Sequence, residues 1–167
     1  MYIVSSKARQ DLRPYIWQSV LATATILLIL LFLDVLSHTA IIATLGSTAF
    51  LVFTRPRAYA SRLRPLLGGY FIGMSVGIFF YYLSLLPSLV SLPVSTSTVY
   101  IVFSAMSVGA AIFFMVVTNT EHAPAAGMAL GLVMNDWDYR TIVFIFSAVV
   151  IIAVLRQILR PFMIDLI

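Results

Sequence analysis

The chain has no cysteine, which excludes disulfides, thiolate metal sites and cysteine nucleophiles. Charge is scarce as well. Asp, Glu, Lys and Arg make up 10% of its 167 residues, against about a quarter in a soluble domain. With only two histidines, no cluster of metal-ligating residues forms, so neither a metal nor another cofactor is expected. Nucleophile-elbow spacing and paired catalytic carboxylates are also missing, so the chain does not read as an enzyme. The formal charge of +4 would suggest nucleic acid in a soluble protein. Here the bases sit in short tracts between apolar runs and read as topology signals, so no nucleic-acid partner is expected.

What the chain has in excess is apolar sequence: 62% of it is hydrophobic. Ile16 to Leu36, Leu66 to Leu86 and Val99 to Val117 are each long enough to cross about 30 Å of hydrocarbon. Thr141 to Leu159 is a fourth span, with Arg156 close enough to its end to reach the headgroups. Two further apolar runs are short. Thr39 to Phe53 gives about 22 Å of helix and Ala123 to Val133 about 16 Å. Thr118 to His122, if extended, adds roughly 16 Å to the second. Both short runs are therefore expected to be broken crossings. The run after the polar stretch Met1 to Pro14 is too long for a signal peptide and reads as a retained helix. Without an organelle transit peptide, the expected location is the inner (plasma) membrane of a prokaryote.

Six crossings place Lys7, Arg9, Arg13, Arg55, Arg57, Arg62, Arg64, Arg156 and Arg160 on one side and leave Arg140 on the other. By the positive-inside rule both termini are then cytoplasmic. The predicted fold is a single all-α transmembrane bundle over residues 1–167. It is built from two inverted repeats, about 15–86 and about 97–160, each with a short broken or half-helix between two long ones. Paired short segments of this kind point to a transporter with its site between the halves. His38 and His122 each precede a short run, and Thr44-Leu45-Gly46 is echoed by Ala129-Leu130-Gly131. Gly69, Gly73 and Gly77 recur every four residues, leaving one helix face bare for close approach by another helix. Gly127 and Gly131 do the same on the second short run. A small bundle with so many bare faces is expected to form a homo-oligomer.

Candidate chemistry concentrates in Thr118-Asn119-Thr120-Glu121-His122, just ahead of Ala123-Pro124. Polar residues then proline is the pattern of a helix start. The N–H groups of Ala125, Ala126 and Gly127 are therefore expected to be free and to bind a small anion near mid-bilayer. Thr44, Gly46, Ser47 and Thr48 offer small hydroxyls and bare backbone on the opposing short run. For each hydroxyl the alternative is ordinary interhelical hydrogen bonding.

Two readings of His122 stand side by side: anion donor and proton carrier together with Glu121, or a neutral imidazole capping the helix beneath it. Glu121 would repel an anion unless protonated, turned to the cytoplasm or paired with Arg55, Arg57, Arg62 or Arg64. Asp34, near the outer interface, is either functional, exposed or paired with Arg140. The Arg55 to Arg64 tract reads as a topology anchor that meets anionic lipid headgroups.

From about Ala43 onward the chain resembles the HPP family of integral membrane proteins, named for a His-Pro-Pro motif. Three blocks carry the resemblance: Ala43-Thr44-Leu45-Gly46-Ser47-Thr48-Ala49, Arg64-Pro65-Leu66-Leu67-Gly68-Gly69, and Thr118 to Gly127. The signature here is His122-Ala123-Pro124, one proline short, and Tyr70 stands where the family often has histidine. The resemblance implies transport of nitrite or a similar small anion. The residues themselves point only to a small inorganic anion and membrane lipid as partners. The competing reading is a non-transporting membrane scaffold or partner subunit, whose polar links are closed by their own hydrogen bonds.

Overall fold

The computed structural model describes residues 11–33, 39–86 and 95–166. The expectations attached to Lys7, Arg9, Asp34 and His38 lie outside the described residues. Six α-helices follow in order: α1 (Arg13–Leu33), α2 (Thr39–Thr54), α3 (Leu63–Ser84), α4 (Thr96–Val117), α5 (Ala123–Met134) and α6 (Tyr139–Leu159). Single 3₁₀ turns occupy Tyr59–Ser61 and Arg160–Phe162. Each helix follows an apolar run of the sequence, with ends within a few residues of those read from composition. Among the described residues, Leu63–Ser84, Thr96–Val117 and Tyr139–Phe162 are long and apolar enough to cross a membrane, while α2 and α5 are shorter apolar helices.

Contacts at the helix ends fix the directions. Gln18 at the start of α1 donates to the carbonyl of Phe53 at the end of α2. Arg64 at the start of α3 donates to Thr118 O, just past α4. Arg156 near the end of α6 donates to Pro56 O, between α2 and α3. Tyr81 and Tyr82 at the far end of α3 pack against Trp137, just before α6, in tilted and edge-on contacts. The six helices thus alternate in direction, and Arg13, Arg55, Arg57, Arg62, Arg64, Arg156 and Arg160 gather at one end. Arg140 lies at the other.

The surface is inverted relative to a soluble protein. Phe71, Phe79, Ile101, Phe113, Val143 and Ile158 are all at least 60% exposed, whereas alanine and glycine fill much of the interior. Burying small residues lets helix backbones approach, which is the main source of packing energy where lipid is as apolar as the side chains.

The glycine stripe of α3 shows this directly, and the helix that comes close is α5. A Cβ on Gly69 would stand 2.7 Å from His122 Cβ, and one on Gly77 3.0 Å from Ala129 Cα. At Gly73 it would overlap the carbonyl oxygen of Ala125. The two helices run parallel, with α5 starting level with Gly69. That is six residues, or roughly 9 Å, inside the start of α3.

Local sequence accounts for the starts of α4 and α6. Ser95 Oγ accepts from Thr98 N at 3.2 Å. Asp138 accepts from Thr141 N at 2.9 Å, and the Thr141 hydroxyl lies 3.5 Å from Asp138 N, closing a reciprocal box. The N–H and hydroxyl of Thr141 hold the Asp138 carboxyl below its ordinary range.

The link between α4 and α5 differs from the expected extended lead-in. Asn119 adopts the left-handed conformation (φ 55°). Thr120 N donates to Met115 O at 2.8 Å and Asn119 N to Val116 O at 3.1 Å. This pair of bonds is a Schellman turn, which asparagine tolerates better than most residues. The chain therefore folds back under α4 before α5 begins level with Gly69 of α3.

Candidate functional site

His122 occupies the N-cap of α5 and is 1% exposed. The carbonyl of Ala60, 2.9 Å from Nδ1, can only accept, so Nδ1 carries the proton and Nε2 is left as an acceptor. The Thr48 hydroxyl, 3.0 Å from Nε2, then donates to it. Tyr70 Oη lies 2.7 Å from the same hydroxyl, and the Tyr70 ring sits 5.5 Å from the imidazole. Thr44 O stands 3.0 Å from the Thr48 hydroxyl and 3.1 Å from that of Tyr70. It offers an acceptor to whichever hydroxyl proton is not otherwise engaged.

One imidazole thus ties together α2, α3, α5 and the 3₁₀ turn. Each partner is placed by a simple local cause. Thr48 and Thr44 are one helical turn apart on the buried face of α2. Tyr70 follows the two glycines that admit Thr120 and His122 against α3, and Ala60 is delivered by Ser61, whose hydroxyl donates to Leu51 O at 3.2 Å.

The imidazole caps nothing with its side chain, so the capping alternative is replaced by a cross-link between helices. The predicted backbone donors also differ. The free N–H positions of a helix are its N-cap and first three residues, here His122 to Ala125. Of these, Pro124 has no N–H and Ala125 N donates to His122 O at 2.9 Å. Ala126 and Gly127 already lie where intrahelical bonds begin, so the expected donor set at Ala125, Ala126 and Gly127 is not free. Ala125 and Ala126 are buried, whereas Gly127 is exposed.

The polar link is closed in the same way. Thr118 and Thr120 share a hydroxyl–hydroxyl bond of 2.8 Å, and the Tyr59 hydroxyl donates to Asn119 O. Glu121 is exposed and forms no ion pair among the described residues, so the expected pairing with an arginine is not made.

The remaining predicted residues do meet. A groove of about 680 Å³ runs between α2 and the start of α5, lined by Thr44, Gly46, Ser47, Ala123, Pro124 and Gly127 among others. Gly46 and Ser47 face it from α2, with the Ser47 hydroxyl donating to Ala43 O at 3.1 Å. A Cβ on Gly46 would meet nothing within 4 Å, whereas one on Gly127 would stand 3.3 Å from Thr44 Cγ2. Thr48 and His122 lie behind this groove, in the buried layer. Among the described residues no three metal-ligating side chains come together.

Tyr70, Ala60 and Gln18 were missing from the sequence-derived site. Tyr70 had a signal, since it directly follows the Gly68-Gly69 pair, in the second of the three blocks that carry the family resemblance. Gln18 had one too, as a lone amide within an apolar run. Ala60 contributes only a carbonyl, which no sequence pattern marks.

No curated relative and no solved structure matches the chain. A family model described as HPP, transmembrane region, matches residues 7–161, so this helical membrane protein belongs to the HPP transmembrane family.

Proposed function

We propose that the protein is a transporter or channel for a small monovalent anion such as nitrite, with the groove between α2 and α5 as part of the ion path. The observation that carries this reading is the meeting of the two short helices. Thr44, Gly46 and Ser47 of one and Ala123, Pro124 and Gly127 of the other line a single groove. Hydroxyls and bare backbone suit an anion that must exchange water for hydrogen bonds.

The alternation of the six helices supports six crossings, and with them two inverted halves, α1–α2–α3 and α4–α5–α6. The gathering of arginines at one end supports a cytoplasmic location for both termini in an inner membrane. His122 serves in this reading as a positioning residue, holding Thr48 and hence the Thr44–Ser47 turn against α5. A proton-carrying role for it, with Glu121, requires one of its two hydrogen bonds to open. A second copy of the chain closes the groove on its outward side.

A specific observation favours a second reading, a partner subunit that moves no ion. Both nitrogens of His122 and the hydroxyls of Thr118 and Thr120 are engaged within the chain. Liposome flux separates the two. The transporter reading predicts nitrite uptake that saturates and selects against chloride, and that drops when Gly46→Trp fills the groove without touching the buried network. Well-folded protein giving no flux above empty liposomes supports the subunit reading.

A further inference from the structure

The arginine-rich end contains a charge that the groove does not use. Arg156, in the last turn of α6, is 3% exposed. Its Nη2 donates to Pro56 O at 2.7 Å and its Nη1 to Gln157 Oε1 at 3.5 Å. Its Nε is enclosed and has no partner among the described residues. Among the described residues, Arg160, four residues on, and Arg62 add charge of the same sign near the guanidinium.

No carboxylate among the described residues pairs with it. Asp165, the acid of the C-terminal segment, accepts instead from the backbone N–H of Arg57 at 3.0 Å. A buried guanidinium with an orphaned donor and two cationic neighbours is unfavourable unless an anion completes it.

Position narrows the chemistry. Arg156 lies three residues before the end of α6, roughly 5 Å of helix rise, close to the arginine-rich end of the bundle. The planar guanidinium matches phosphate oxygens better than a point charge does, and three cations favour a phosphate over a weakly coordinating monovalent ion. Arg62 and Arg160 are exposed, so they can take an anion from the solvent side, with the buried Arg156 charge behind them.

We propose that Arg156, Arg62 and Arg160 form a site for a phosphate-bearing anion at the arginine-rich end of the bundle, with Arg156 as its buried anchor. The site is independent of the ion path and stands whether or not the protein transports.

The test is thermal unfolding of the full chain in detergent with added phosphatidylglycerol, phosphatidylcholine or inorganic phosphate. The parent chain is compared with Arg156→Gln, the exposed double variant Arg62→Gln/Arg160→Gln, and Arg140→Gln from the opposite end. The expected result is a rise of several degrees with phosphatidylglycerol and none with phosphatidylcholine. The rise is lost in the double variant and in Arg156→Gln, and kept in Arg140→Gln. A matching rise with inorganic phosphate identifies a free phosphate as a ligand, and a rise with phosphatidylglycerol alone identifies a lipid headgroup. Should Arg156→Gln not fold, the double variant decides. No rise with either phosphate source, or an equal rise in all four chains, overturns the site.

Discussion

The two short helices are both apolar and rich in small residues, and they are used in opposite ways. α5 is enclosed: Pro124, Ala125, Ala126, Met128, Ala129, Gly131, Leu132 and Val133 are all buried, with the glycine face of α3 against its backbone. α2 buries only one side, through Leu45, Thr48, Ala49, Val52 and Phe53, and leaves Gly46, Ser47 and Phe50 open. A glycine therefore has two meanings in one bundle. On α3 it admits another backbone, while on α2 it forms the wall of a groove.

The largest expected effect tests the first meaning. Gly73→Leu places a side chain where the Ala125 carbonyl already stands, so α5 has to move away from α3. Overpacking of this kind typically costs about 1–3 kcal/mol and more where backbone is the obstacle. The expectation is little or no folded protein by size-exclusion chromatography, while Gly46→Leu elutes as the parent does. Equal behaviour of the two variants would remove the distinction between the helices.

The next effect concerns the cross-link between them. His122→Ala removes the Ala60 carbonyl's side-chain donor and turns the Thr48 hydroxyl back on Thr44 O and Tyr70, a loss of about 1–3 kcal/mol for buried groups. Thr48→Val removes the other side of the same bond. Because the two residues share one interaction, the double variant is expected to lose less than the sum of the single losses, by at least about 0.5 kcal/mol. Chemical unfolding in mixed micelles measures this, and strict additivity would mean that the 3.0 Å contact contributes nothing.

How far the sequence alone reaches follows from these same residues. Helices were legible because lipid demands long apolar runs, and the α3 stripe was legible because a period of four marks one face of a helix. The groove residues Thr44, Gly46, Ser47 and Gly127 were found from small size and polarity in short segments. The site's donors were misplaced for a reason of phase. Placing the free N–H groups from Ala125 rather than from the N-cap at His122 shifted the set by three residues. The link before it read as extended because its Schellman turn rests on one left-handed asparagine, a conformation that composition does not announce. The role of Tyr70 emerged only when the fold brought α2 and α5 together, since Thr48, Tyr70 and His122 are far apart in the chain.

A smaller effect is expected at the outer edge of α2, where α1 is held by an extended C-terminal segment. Gln18 exchanges both of its amide groups with Ile164, accepting from N at 3.2 Å and donating to O at 2.9 Å. Leu166 N donates to Thr54 O at 2.9 Å, and the Tyr15 hydroxyl to Leu166 O at 2.7 Å. Gln18→Leu keeps the apolar contact and removes the amide. Side-chain bonds between membrane helices are worth roughly 0.6–2 kcal/mol, so the bundle should stay folded while carboxypeptidase trims residues beyond Phe162 faster than in the parent. Unchanged trimming would show that Tyr15 and Thr54 hold the segment without Gln18.

The smallest effect has the sharpest sign. A methyl group on Gly46 meets nothing within 4 Å, so Gly46→Ala adds no clash and removes the helix penalty of glycine, about 1 kcal/mol. In dilute detergent, where the chain is alone, the melting temperature is expected to rise slightly. Under the proposed closure of the groove by a second copy, the methyl meets that copy's helix in a bilayer at high protein density. Gain in the isolated chain together with loss of cross-linked oligomer in the membrane places the wall of the groove at a contact between copies. Gain in both settings leaves that wall facing lipid, and the groove is then complete within one chain.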